Sequence, residues 1–350
     1  MKRRARLKDI ADQTGFSTNT VSLALHHSPL VAEETSKAIW AAARQLKYRP
    51  NQLARSLVSR RSKTIGLILT NIQNPILTRA AQAIHEALSG HGYATLFATS
   101  NHSVEEEKNA LEVFFSRQVD GILIYPANAR EHAHIAEIVA HGTPVVMLAG
   151  LGQGDIETVS FDDRGGARVA TEYLIGLGHR RIGFIDNSAS LGNPEKREGY
   201  MQALTAAGLA VDEALMVNPK GFESSQAFNA MTPLMSAPNP PTAVLAVNDT
   251  LAFGAIHWCV AHGIHVPRDL SIIGFDNIEL AAHAVPPLST VNYPADDMSR
   301  RGVERLLKLI EEDEDDRGAP RVARIAPELV IRDSTAPPRK RRRPGSLPAS

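Results

Sequence analysis

Residues 7–57 read LKDIADQTGFSTNTVSLALHHSPLVAEETSKAIWAAARQLKYRPNQLARSL, and the remainder of the chain is best understood outward from them. Two short helical patterns meet at Gly15-Phe16, with Ile10 and Ala11 as apolar positions of the first. Ser17 marks the start of the second, because a serine hydroxyl there can satisfy an amide of the first helical turn. Over residues 18–26, at roughly 100° per residue, Val21, Ala24 and Leu25 fall on one side and Thr18, Asn19, Ser22 and Leu23 on the other. The first side can pack on Ile10 and Ala11. The second is small and mostly polar, and a DNA major groove is wide enough to admit such a helix. A third helix over 33–46 carries Ile39, Ala42, Ala43 and Leu46 as its buried stripe. The pattern predicts a small all-α helix-turn-helix domain over residues 1–50.

Charge is distributed to match. The 38 basic and 38 acidic residues cancel over the 350-residue chain, yet residues 1–63 hold 13 Lys/Arg against 4 Asp/Glu. The tail, 335–350, adds 5 basic residues and no acids, so the stretch between carries a balance of −14. A basic head on an acidic body predicts that the head meets a polyanion and the body does not. The single cysteine, Cys259, excludes a disulfide framework and fits a reducing compartment. The N-terminal Met-Lys-Arg-Arg-Ala-Arg is followed by no apolar run, and no stretch approaches membrane-spanning length. A cytoplasmic protein without a membrane partner is expected.

Pro50 stops the helical pattern. A short helix beginning at Asn51, followed by the basic linker Arg60-Arg61-Ser62-Lys63, makes 51–63 a segment too short to be helical alone. From Thr64 a βα rhythm sets in. Strands are expected at 65–70, 94–99, 121–125 and 144–148, then at 182–185, 215–217, 243–247 and 271–275, with amphipathic helices between them. Two such series predict an α/β core of two lobes, each a parallel sheet with helices on both faces, over 64–334. A break near 162–166 separates them. The Pro-rich basic tail, 335–350, is expected to be disordered.

In open parallel sheets, ligands bind beyond the carboxyl ends of strands. Asn74, Asp249 and Asp276 satisfy that rule from sequence alone. A carboxylate at such a position can accept hydrogen bonds from neighbouring hydroxyls, which suits a sugar.

Several of these stretches resemble the lactose repressor/purine repressor family of bacterial transcription regulators. The similarity is carried by Asp9-Ile10-Ala11, Thr20-Val21-Ser22, Val31-Ala32-Glu33-Glu34-Thr35, Tyr48-Arg49-Pro50-Asn51 and Ala54-Arg55-Ser56-Leu57, and runs from about residue 7 to 337. The resemblance implies a core like the periplasmic sugar-binding proteins, with three crossings between lobes. The later two are expected near Tyr293 and at 317–322, giving lobe one as 64–162 plus 293–317 and lobe two as 163–292 plus 318–334. It implies a homodimer on an inverted-repeat, double-stranded operator. It makes Thr18, Asn19 and Leu23 base-reading positions and Leu57 a wedge that enters the minor groove from a hinge helix. Ser17, Ser22, Lys8 and Arg55 are then expected at phosphates. Leu23 stands where many members have arginine, so an apolar contact such as a thymine methyl is expected there.

For the effector, the resemblance assigns Asp249, Phe222 as a stacking ring, and Lys196 or the adjacent Arg197 where the family carries an arginine. Ile76 and Leu77 replace the two aromatics of the purine repressor, which points away from a purine and toward a sugar or sugar derivative. The expected function is an allosteric repressor whose operator affinity follows effector binding through the order or disorder of 51–60. The alternatives are a solute-binding protein, or a regulator answering to a purine or a protein co-regulator. Neither zinc-type histidine spacing nor a nucleophile–base pattern occurs, and Gly150–Asp155 only nearly matches a dinucleotide loop. No enzyme activity, metal or cofactor is expected.

Overall fold

The computed structural model describes residues 5–26, 28–48, 61–151, 156–187, 193–312 and 322–339. The chain divides into two compact units at Ser62–Lys63.

The small unit is three helices, α1 (Leu7–Thr14), α2 (Thr18–Leu25) and α3 (Glu33–Gln45). Gly15 ends α1 with φ 74°, a left-handed conformation that a glycine adopts without steric cost. Ser17 then caps α2, its Oγ accepting from the Thr20 amide at 3.0 Å. Ile10, Ala11, Val21, Ala24, Ile39, Ala42 and Ala43 form the core, as the 3.6-residue period predicts. Trp40 ties α3 to α2 by donating from Nε1 to the Ala24 carbonyl at 3.2 Å.

The large unit holds two six-stranded sheets. The first comprises β1 (Thr64–Leu69), β2 (Ala94–Thr99), β3 (Gly121–Ile124), β4 (Val145–Leu148), β5 (Glu157–Phe161) and, from far down the chain, β11 (Val322–Ile325). Its order is β2-β1-β3-β4-β5-β11, and every pairing is parallel. The second comprises β6 (Ile182–Ile185), β7 (Met216–Val217), β8 (Ala243–Ala246), β9 (Ser271–Asp276), β10 (Ser289–Asn292) and β12 (Glu328–Val330). Its order is β7-β6-β8-β9-β10-β12, parallel except for the antiparallel β12 edge.

Helices cover both faces. In the first lobe they are α4 (Pro75–Gly90), α5 (Val104–Ser116), α6 (Ala133–Ala140) and α12 (Ala295–Glu311). In the second they are α7 (Asp163–Gly176), α8 (Glu195–Ala206), α9 (Ser224–Met235), α10 (Asp249–Ala261) and α11 (Glu279–His283). The period-two alternation of β1 explains the layering: Leu67 and Leu69 join one apolar cluster with Ile84 and Leu88 of α4, while Ile68 joins another with Leu111 and Phe114 of α5. Among the described residues, no helix is long and apolar enough to cross a membrane.

At 162–166 Asp162 caps α7, accepting from the Gly165 amide at 2.9 Å. Two boundaries differ from expectation. Strand β11 pairs with β5 of the first sheet, so the last crossing falls between Ile325 and Glu328, not at 317–322. The strand is only four residues long and its burial pattern is mostly exposed, so no alternation of buried and exposed side chains announces it. The tail is ordered further than expected as well. The Ala336 carbonyl accepts from Ser271 Oγ at 2.9 Å, and the Ala336 amide donates back to that Oγ at 3.0 Å. The remaining tail residues, 340–350, lie outside the described residues.

Helices α7 and α8 touch at backbone level. A Cβ on Gly199 would lie 2.1 Å from the Arg164 carbonyl oxygen and 3.0 Å from the Arg168 amide nitrogen, so only glycine fits. Gly199→Ala is expected to destabilise the core by about 2 kcal/mol, because backbone cannot give way as a side-chain tip can. Urea unfolding with an unchanged midpoint would contradict that packing.

Candidate functional site: the interlobe cavity and the exposed face of α2

Each sheet has a point where its strand order reverses, between β1 and β3 in the first and between β6 and β8 in the second. Adjacent loops diverge there and leave a crevice at the carboxyl ends. The two crevices meet in one cavity of about 550 Å³. Thr70, Asn71 and Asn74 line it from β1, Tyr125 and Pro126 from β3, Asn187 from β6, and Val247 and Asn248 from β8.

Of the residues expected to meet effector, Asn74, Ile76, Leu77, Lys196, Phe222 and Asp276 line this cavity. Asn74 also caps α4, its Oδ1 accepting from the Ile76 amide at 3.0 Å. Lys196 is well anchored. Its Nζ donates to the Val247 carbonyl at 2.9 Å, sits 3.6 Å from Asp163 Oδ1, and lies 3.7 Å from the centre of the Phe275 ring. Asp276 is the last residue of β9, with a left-handed φ of 109°. Burial raises its carboxyl well above the usual carboxylate range; the Lys196 charge opposes that shift, and Asp249 and Asp163 add to it.

Two expectations are corrected. Asp249 does not line the cavity. It is fully buried, accepting from Thr290 Oγ1 at 2.6 Å and from the Ile278 amide at 2.9 Å. Its neighbour Asn248 takes the lining position and caps α10 through an Oδ1 contact to the Leu251 amide at 2.7 Å. Successive residues at a helix start point in different directions, so a shift of one position separates a ligand contact from a structural anchor. Arg197 is likewise elsewhere, 3.7 Å from Glu213 and not among the lining residues. Helix periodicity turns it away from Lys196.

Asp163, Asn187, Asn193, His102, Tyr125 and Tyr293 line the cavity and were not foreseen. The switch-point rule applied to β3 and β6 would have found Tyr125 and Asn187. Asp163 and Asn193 are joined, Asn193 Nδ2 donating to Asp163 Oδ2 at 2.9 Å. Below this pair, Arg324 of β11 donates to Glu195 of α8 at 2.9 Å, an ion pair that joins the lobes. Burial raises the Glu195 carboxyl, against the lowering by Arg324.

On the small unit, Ser17, Thr18 and Asn19 are exposed, and Ser22 and Leu23 are half-buried on the side of α2 away from Val21 and Ala24. Arg55 and Leu57, with the expected hinge helix, lie outside the described residues. Among the described residues, no group of His, Cys, Asp or Glu side chains could hold a metal ion. Cys259 is a buried core residue whose thiol burial pushes up to about 12.

Comparison with known proteins bears on both units. Residues 6–51 match the family described as bacterial regulatory proteins, lacI family, and residues 171–335 match the periplasmic binding protein-like domain. The HTH-type transcriptional repressor PurR of Pasteurella multocida is 33% identical over 334 residues, covering 94% of this chain and 98% of that protein. The repressor of the same name from Edwardsiella ictaluri is 33% identical over 338 residues, covering 95% and 97%. Among solved structures, a complex of the transcriptional regulator CelR with cellobiose aligns with a TM-score of 0.70 at 29% identity, covering 95% of this chain and 100% of that one. The lac repressor dimer bound to operator and the anti-inducer ONPF has the same fold, with a TM-score of 0.86 at 24% identity and the same coverage. A three-helix head with a capped, exposed second helix, a two-lobed core and near full-length relatives all agree: this chain belongs to the lacI family of bacterial regulatory proteins and is a DNA-binding transcriptional repressor, not an enzyme.

Proposed function

We propose that this repressor acts in the cytoplasm as a homodimer on an inverted-repeat operator, and that a small, uncharged, hydroxyl-rich molecule in the interlobe cavity sets its operator affinity. A carbohydrate is the leading class. One observation carries this reading: the charge balance of the cavity lining. Among the described residues, Asp163, Glu223 and Asp276 line it against the single cation Lys196. The Lys196 ammonium is already engaged by Asp163 and the Val247 carbonyl. An anionic effector would find Lys196 already engaged and would set its charge beside Asp163 in a partly desolvated site, where like charges cost most. Hydroxyls, by contrast, can donate to the carboxylates and exchange hydrogen bonds with Asn71, Asn74 and Asn248.

A purine is the second reading. It is favoured by the name PurR borne by the relatives and by the Phe222 ring in the lining. Ile76 and Leu77 speak against it, because they offer no ring for a second stacking face.

Coupling follows from linkage. Effector and operator each prefer one arrangement of the lobes, so each alters the other's affinity by the same factor. Thermal unfolding in the presence of ribose, cellobiose, gluconate, glucose 6-phosphate or hypoxanthine tests the effector class. A ligand at about a hundredfold over its Kd should stabilise the folded core by about 2.7 kcal/mol. The neutral sugars are expected to act and the anions not, with the effect lost in Asn248→Ala. Stabilisation by gluconate or glucose 6-phosphate would overturn the charge argument, and stabilisation by hypoxanthine alone would favour the purine.

A further inference from the structure

We propose that His102 is a positioning residue of the effector cleft: its ring, stacked on Phe222, is a latch that holds the two lobes closed before any effector binds. His102 belongs to the first lobe, in the turn between β2 and α5, and Phe222 to the second, in the loop between β7 and α9. Their ring centres lie 4.6 Å apart with planes inclined by 14°, a parallel stack. Neither loop contains a crossing of the chain, so nothing covalent nearby keeps these two rings together.

The turn is built to deliver the ring. Asn101 and His102 are both left-handed, with φ of 48° and 60°, a conformation uncommon outside glycine and maintained only where surroundings enforce it. The enforcement is visible on both sides. Asn101 Nδ2 donates to Glu106 Oε2 at 2.7 Å. Ser103 caps α5 by accepting from the Glu106 amide at 3.3 Å, and its own amide donates to the Ser100 carbonyl at 2.7 Å.

No hydrogen bond holds the imidazole itself at Nδ1. That atom is buried and has no partner among the described residues. Burial also lowers the pKa of His102, so at neutral pH the ring is uncharged and stacks as a neutral heteroaromatic. The contact therefore rests on the stack. A bound molecule that packs against both rings joins the first lobe to the second, and strengthens closure.

The latch gives regulatory meaning to the cavity read above as the effector site, but its test needs no effector, so failure of the ligand screen and failure of the latch are separate results. Spin labels on Lys108→Cys of α5 and Asn229→Cys of α9, both exposed positions, report the separation of the lobes in the full-length protein, with Cys259 buried and unlabelled. The unliganded parent is expected to give one short separation. His102→Ala should raise the population of a longer separation about fivefold, the size of a typical aromatic-pair contribution. His102→Phe should restore the short separation, since it keeps a ring and loses the nitrogens. Phe222→Leu should match His102→Ala, and the two together should add nothing. It also serves as the probe of the contact should His102→Ala fail to fold. An unchanged separation in His102→Ala or Phe222→Leu would overturn the latch. So would a lowered Tm without a change in separation, or failure of His102→Phe to restore closure.

Discussion

Asp249→Ala is expected to destabilise the effector-binding core by about 2–5 kcal/mol, because it strands two buried donors at once. The Thr290 hydroxyl and the Ile278 amide both donate to this carboxylate, and the side chain is fully buried. The pH dependence is equally specific. Burial pushes the Asp249 carboxyl up to about 6 from an ordinary 3.8, while the Thr290 and Ile278 hydrogen bonds restrain the shift. A raised folded-state pKa means that the unfolded chain ionises first as pH rises. The carboxyl's contribution is therefore complete below the unfolded pKa and is lost as pH climbs through the folded one. The loss is on the order of 3 kcal/mol between about pH 4 and pH 7.

Asp249→Asn removes that titration. The stability of the parent minus that of Asp249→Asn, from urea unfolding, should fall by about this amount over the same window. Glu195 is shifted in the same direction but cancels in the subtraction, whereas Asp276, raised in part by the Asp249 charge, cancels only in part. A difference that stays flat with pH would mean that the Asp249 carboxyl titrates as an ordinary one in the fold. The variant also separates structure from recognition: any effector identified should still bind Asp249→Asn and should lose affinity in Asn248→Ala.

The second large effect concerns DNA. Asn19→Ala is expected to lower affinity for the selected operator about 10- to 100-fold, or about 1–3 kcal/mol, and to relax preference at one base of each half-site. The amide is suited to this: Asn19 is exposed in the first turn of α2, where a carboxamide can pair with both edge atoms of an adenine in the major groove. Lys8→Ala, in contrast, should weaken binding equally on all sequences and reduce the salt slope by about one. Fluorescence anisotropy on operators selected from random DNA, at several salt concentrations, distinguishes the two. An equal loss for Asn19→Ala on nonspecific DNA would remove it from base reading. The selected site should be an inverted repeat, and an asymmetric site would remove the homodimer.

The helix-turn-helix head was legible in the sequence because everything that specifies it is local. Gly15 supplies a left-handed turn, Ser17 a cap three residues before its amide partner, and the apolar stripe repeats at helical spacing. The βα rhythm of the core was legible for the same reason: central parallel strands are buried on both faces and read as apolar runs. Family resemblance added Lys196 and Phe222, both of which line the cavity.

What tertiary structure alone decided is which of two adjacent residues meets the ligand and which holds the scaffold. Asn248 and Asp249 are both polar and both follow the end of strand β8. Only the approach of β10 and of the 276–278 turn gives Asp249 its partners and buries it. The edge strand β11 is fixed by its pairing with β5, more than 150 residues away in the chain, and mostly exposed side chains carry no trace of that partnership. His102 and Phe222 come from loops in different lobes, so their contact exists only once both sheets are built. Periodicity and capping are written between neighbours in sequence. A cavity is written between strangers, and its residues are chosen by packing.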